Sequence, residues 1–208
     1  MVSKQNIEHI AEWLGSGSIN FFGKPYAGKD SQAKRIAPLF NARVLGGGAI
    51  LRASVIPEHI SEQMDRGELV DSDSYVDIVL PYLSSAELAH QPLMLSAVGR
   101  FYGEEQGVMQ ALIASGHPPK AVIHLDISDE TAIARWETRQ NKDRGERGDD
   151  NGRHIQETRL SEFSAKTVPV IEAYRQLGLV DEIDGTLPRD VVNEAILEAL
   201  SKRARVEQ

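Results

Sequence analysis

The chain has 208 residues, no cysteine, 41% hydrophobic and 26% charged residues, and a formal net charge of −8. That length suits one α/β domain with small inserts, with a core of ordinary size. The missing cysteine excludes disulfides, thiolate catalysis and cysteine zinc sites, and the acidic balance argues against a broad duplex-binding surface.

The first fifteen residues carry Lys4, Glu8 and Glu12 among their apolar positions, so no signal-peptide core is expected. No stretch reaches the roughly 18 apolar residues of a membrane span, and a cytoplasmic protein is the expectation. Ile7, Ile10, Ala11 and Leu14 recur at helical spacing and predict a surface helix over 6–14, ended by the Gly and Ser residues 15–18. Ile19 to Phe22 reads as a short apolar strand. Asp30 to Phe40 reads as a helix, with Ala33, Ile36, Ala37 and Phe40 on one face. A second strand is expected over 43–45, followed by helices from Ala49, over 57–66 and over 72–89. Residues 92–98 read as a third strand, and Ala121 to Ile127 is the clearest buried strand. Asp129 to Arg139 is a helix with an acidic start. Residues 140–153 are charged, contain Gly145, Gly148 and Gly152, and lack an apolar face. A helix over 155–177, broken at Pro169, a last strand over 179–183 and a last helix over 191–200 complete the chain. Strands alternating with helices predict a three-layer α/β/α fold around a five-stranded parallel sheet.

Gly23-Lys24-Pro25-Tyr26-Ala27-Gly28-Lys29-Asp30-Ser31 has the frame of a phosphate-binding P-loop, with a strand directly before it and a helix directly after. Glycines let the backbone wrap closely around phosphate oxygens, and the loop amides and helix N-terminus hold the anion. Lys29 is expected to reach the β- and γ-phosphates. The next position ordinarily carries the hydroxyl that meets Mg²⁺. Here it is Asp30, so the metal-side hydroxyl is assigned to Ser31.

Residues 23–35 resemble the Gly-x-Pro-Gly-x-Gly-Lys-Gly-Thr-Gln motif of the adenylate kinase family of nucleoside monophosphate kinases, with Pro25 and Gln32 in matching places. Gly48-Ala49-Ile50-Leu51-Arg52 is similar to the family's Gly-Asp-x-Leu-Arg. Met64 to Val70 resembles the segment lining the acceptor base. Leu125 to Glu130, with Arg135 and Arg139, resembles the approach to the lid, and Arg147-Gly148-Asp149-Asp150 its end. Arg159-Leu160 and Thr167 to Tyr174 resemble the helix after the lid, and Ile183-Asp184-Gly185-Thr186 the turn beside the ATP base. The order holds over most of 19–200.

The resemblance implies transfer of the γ-phosphoryl group of ATP to a nucleoside monophosphate, with AMP the leading acceptor, Mg²⁺ accompanying ATP, no zinc, and a monomer. It implies an N-terminal helical extension over 1–18, a kinase domain over 19–208, an acceptor-binding insert near 47–76 and a short lid near 139–153. ATP is expected on Gly23, Pro25, Ala27, Gly28, Lys29, Asp30, Ser31, Gln32, Arg135, Arg139 and Thr186. The acceptor is expected on Gly47, Arg52, Leu69, Val70, Arg100 and Glu104. Three departures stand out. Ser96 replaces the aspartate that helps hold the Mg²⁺ waters, Gly47 stands where a hydroxyl residue favours AMP, and Glu104 stands where a glutamine is expected a few residues after Arg100.

Phosphoryl transfer needs alignment and charge stabilisation more than covalent help, and guanidinium forks suit both. Lys29, Arg100, Arg135, Arg139, Arg147 and Arg159 are the expected catalytic set. Arg135 and Arg139 are four apart on a helix and point one way. The same arginines could instead form a solvated face paired to Glu137 and Glu157. Arg144 and Arg153 read as solvated or secondary, and His124 reads as a core histidine. Two other functions fit the loop: a kinase of a small metabolite hydroxyl, and a nucleotide-binding pseudoenzyme, for which Ser96 and Asp30 are the evidence.

Overall fold

The computed structural model describes residues 3–142 and 152–206. Helix α1, Lys4–Leu14, starts at Ser3, whose side chain accepts the Asn6 N–H at 3.2 Å. Its Ile10 and Leu14 enter the main core. Strand β1, Ser18–Gly23, is buried at every position, as expected of a strand covered on both faces. It runs through the loop 24–28 into α2, Lys29–Ile36.

The predicted helix over 30–40 is divided. Pro38 supplies no N–H to an α-turn, and residues 37–40 wind more tightly as a 3₁₀ turn. Strand β2, Arg43–Gly46, leads into a helical excursion of α3 (Gly47–Ala53), α4 (Glu58–Asp65) and α5 (Ser72–Leu83). Asp71 caps α5 by accepting the Ser74 N–H at 3.0 Å. The run predicted to reach residue 89 stops at Leu83, two residues after Pro81.

Strand β3 is Leu93–Ser96. It ends before the predicted residue 98 because Ala97 and Gly99 take positive φ, 50° and 73°, and turn the chain out of the sheet. Helix α6, Glu104–Ala114, then returns the chain to β4, Pro119–Asp126. Helix α7 is Asp129–Lys142 and α8 is Arg153–Glu162. A wide π-type turn, Phe163–Thr167, joins α8 to α9, Val168–Gln176. Pro169 therefore lies in the first turn of α9, where a missing N–H costs nothing, and the irregularity precedes it. Strand β5, Val180–Asp184, and helix α10, Arg189–Val206, finish the fold.

The five strands are all parallel, in the order β2-β3-β1-β4-β5, as the alternating pattern predicted. One core cluster joins α1, α2 and α10 to the sheet, a second lies under α3, α5 and α6, and a third packs Phe22 and Val122 on Val170, Ile171 and Tyr174 of α9. The connection from β1 leads to β2 on one side, and that from β3 leads to β4 on the other. The carboxyl ends of β1 and β3 thus flank the crevice where an open α/β sheet takes its ligand.

Candidate active site

A cleft of about 1020 Å³ opens at that crevice, at the upper end of the roughly 300–1,000 Å³ of ligand pockets. Its floor is the P-loop. Gly23 (φ 148°) passes so close to β4 that a Cβ there would lie 2.5 Å from the Leu125 carbonyl oxygen, and Gly28 has φ 101°. Both positions require glycine. Tyr26 takes a left-handed φ of 63°, at a place where the resembling motif carries glycine. The Lys29 ammonium donates to the carbonyls of Gly23 (2.7 Å) and Lys24 (2.8 Å). Lys24 pairs with Asp129 at 2.6 Å, fastening the loop to α7.

One wall of the cleft gathers around Arg135 on α7. Its guanidinium donates to the carbonyl oxygens of Gly185 (2.7 Å), Tyr26 (3.3 Å) and Thr186 (3.4 Å), tying the P-loop to the β5–α10 turn. Arg139, one helical turn on, lines the same cleft. Asp184 shapes the turn by accepting from the Thr186 amide and hydroxyl, and these bonds hold its carboxyl below the usual range. Gln32 is buried, and α10 engages its amide at both ends: it donates to the Arg189 carbonyl and accepts from Asn193.

Another wall of the cleft is built on the turn 97–101. Asn20 donates to the Val98 carbonyl at 2.8 Å, the buried Tyr75 hydroxyl accepts the Gly99 N–H at 3.1 Å, and Thr167 donates to the Arg100 carbonyl at 3.3 Å. Glu104 completes the brace. One carboxylate oxygen accepts the Arg100 and Phe101 N–H groups, at 2.7 and 3.0 Å, and the other accepts the Ser72 hydroxyl at 2.8 Å. The turn aims Arg100 into the cleft, where Arg52 of α3 and Arg159 of α8 join it. Burial depresses the Arg100 pKa, and the positive charges of Arg159 and Arg52 add to that, against the opposing influence of Tyr75 and Glu104. Three guanidinium groups held within electrostatic reach of one another make a site for an anion.

The cleft therefore collects most of the residues named from sequence: Gly23, Pro25, Ala27, Gly28, Lys29, Asp30, Ser31, Gln32, Arg52, Leu69, Arg100, Arg135, Arg139 and Arg159 all border it. Four do not. Glu104, expected to meet the acceptor, is 4% exposed and is taken up by the brace. Val70 is 2% exposed and packs in the core under α5. Gly47 is buried against Tyr75, whose hydroxyl lies 2.4 Å from where a Cβ would stand. Thr186 borders a smaller depression beside His124 and Asp126. Arg147 and Arg144 lie outside the described residues. Arg153 is exposed and pairs with Glu157 and Glu137. His124 is partly buried, bonded to Glu182 at 2.7 Å and stacked on Phe163. Sequence reasoning missed the brace, because its members lie 24 to 78 residues from the backbone groups they hold, apart from the short reach of Glu104.

A strand, a glycine loop and a helix that together cradle phosphate place the molecule among the P-loop nucleotide-binding proteins. The family model for adenylate kinase matches residues 21–179. The chain is 29% identical over 192 residues to an adenylate kinase of Synechococcus, covering 88% of this chain and 97% of that one. It is 30% identical over 185 residues to one from Xanthomonas oryzae (86% and 97% covered), and 32% over 187 residues to one from Methylobacterium nodulans (86% and 93%). The chain belongs to the adenylate kinase family and is a nucleoside monophosphate kinase.

Proposed function

We propose that the protein transfers the γ-phosphoryl group of ATP to AMP, giving two ADP. One observation carries this reading. The P-loop with Lys29 and the arginines Arg52, Arg100, Arg135, Arg139 and Arg159 border one cleft from opposite sides. The triphosphate would lie along loop 23–31, with Arg135 and Arg139 over its outer end. The acceptor phosphate would sit among Arg52, Arg100 and Arg159. A phosphate acceptor is already ionised, so no general base is needed, and alignment with charge stabilisation performs the reaction.

Asp30, Ser31 and Ser96 border the cleft beside the loop, and such oxygen donors fit a hard cation that retains its waters and is held mainly by substrate phosphates. Mg²⁺ carried in with ATP would neutralise charge on the β- and γ-oxygens. The expected protein is a monomer working in the cytoplasm. Among the described residues, no helix is long and apolar enough to cross a membrane.

The test is a coupled assay with ATP, Mg²⁺ and AMP, CMP, UMP or GMP in turn. The highest kcat/KM is expected with AMP. No turnover with any of the four would overturn the reading, and another monophosphate ranking first would overturn the assignment of AMP.

A further inference from the structure

The cleft is strongly cationic. Among the described side chains lining it, eight are Lys or Arg and only two are carboxylates, Asp30 and Glu68. Glu68 is matched by Arg66, which donates to both of its oxygens at 2.9 and 3.0 Å. Asp30 stands beside the P-loop. It follows Lys29 directly, in the first turn of α2, where a triphosphate would approach it. A carboxylate there repels phosphate oxygens unless a cation stands between them.

The position of Asp30 is fixed across the crevice. The Ser96 hydroxyl donates to Asp30 Oδ1 at 2.5 Å, a bond spanning 66 residues. Ser96 is itself 6% exposed and pairs in register with Phe21 of β1 and Gly46 of β2, so its hydroxyl rises from the rigid centre of the sheet. Charge-assisted O–H···O⁻ bonds of this length are strong and directional. Ser31, the neighbouring hydroxyl, borders the same part of the cleft.

Resting on the kinase reading above, we propose that Asp30, oriented by Ser96, is the carboxylate that holds the waters of nucleotide-bound Mg²⁺ in this chain. The acid stands at the start of α2, and the end of β3 supplies the hydroxyl that aims it. Asp30 is thus a positioning residue for the metal. Mg²⁺ is typically held by one or two carboxylates, its own waters and substrate phosphate, and one carboxylate beside a P-loop meets that need.

The proposal predicts opposite signs for two affinities. Asp30→Asn preserves shape and can still accept from Ser96. With a non-hydrolysable ATP analogue and Mn²⁺ in place of Mg²⁺, paramagnetic resonance should report Mn²⁺ bound about tenfold more weakly in the ternary complex. In EDTA, calorimetry should find the metal-free analogue bound at least as tightly as by the native chain, because a repelling charge has gone. Exchanging the pair, Asp30→Ser with Ser96→Asp, should restore Mn²⁺ affinity to within about threefold, since it returns the carboxylate to the same contact. Unchanged Mn²⁺ affinity in Asp30→Asn overturns the proposal. Equal weakening with and without metal also overturns it, for then Asp30 merely shapes the loop. In both cases the kinase reading stands if the native chain phosphorylates AMP. A native chain that binds neither form of the analogue defeats both.

Discussion

Replacing Glu104 separates a residue that braces the acceptor turn from one that reads the acceptor. Its carboxylate is buried and accepts two backbone N–H groups and one hydroxyl. Glu104→Ala removes both acceptor oxygens and all three bonds. Each stranded buried donor costs about 1–3 kcal/mol, but Ser72, Arg100 and Phe101 are all only partly buried, so a total of about 3 kcal/mol is reasonable. For a chain of this size that lowers the melting temperature by about 6–12 °C. Glu104→Gln is different. Its carbonyl oxygen can take both N–H groups, and its amide can donate to Ser72 once that hydroxyl turns to accept. The loss should then stay within about 1 kcal/mol. Calorimetric melting measures both variants, and the coupled assay with the four monophosphates measures function. Glu104→Ala should raise KM for the acceptor more than for ATP, because Arg100 loses its support. Glu104→Gln should leave the ranking of acceptors unchanged. An alanine variant as stable as the native chain, or a glutamine variant that reorders the acceptors, would refute the bracing role.

Arg159→Ala, leaving the fold intact, should lower kcat by about 10²–10³-fold, as for removal of one preorganised charge donor, and a loss under threefold would remove it from the phosphate site. The Tyr75 phenol is pushed up to about 12, chiefly by burial. A raised folded value means stability complete below the unfolded value of about 10 and lost as pH climbs from about 10 to about 12. The urea midpoint should fall across that window, and Tyr75→Phe should flatten the fall; an equal fall in both chains would assign it to other groups.

The sheet, the P-loop and the arginine pair of α7 were legible because each rests on spacing within one segment. Glycine, lysine and a preceding strand define the loop, and Arg135 and Arg139 share a helix face. Helix α6 gave no comparable signal. Its buried residues are Glu104, Glu105, Val108 and Leu112, so acids occupy half of the face that helical periodicity would mark as apolar. Those acids are buried because they serve the backbone of the preceding turn, a tertiary fact. Ser96 and Asp30 were each visible as departures from a motif, yet their contact was not, since only the assembled sheet brings the end of β3 beside the start of α2. Glu104 fell into the acceptor set through resemblance alone. Nothing in its neighbours along the chain indicates that its side chain turns back on Arg100.

The bonds from the Lys29 ammonium to the carbonyls of Gly23 and Lys24 have an implication for how tightly a nucleotide can be held. They clasp both ends of the glycine loop with a cross-link from the chain's own side chain. A nest of amides fixed in this way charges an arriving polyphosphate little ordering entropy, and its hydrogen bonds convert more fully into affinity. The clasp also fixes where a third ammonium donor would meet a phosphate oxygen, so one side chain would both close the loop and meet its ligand.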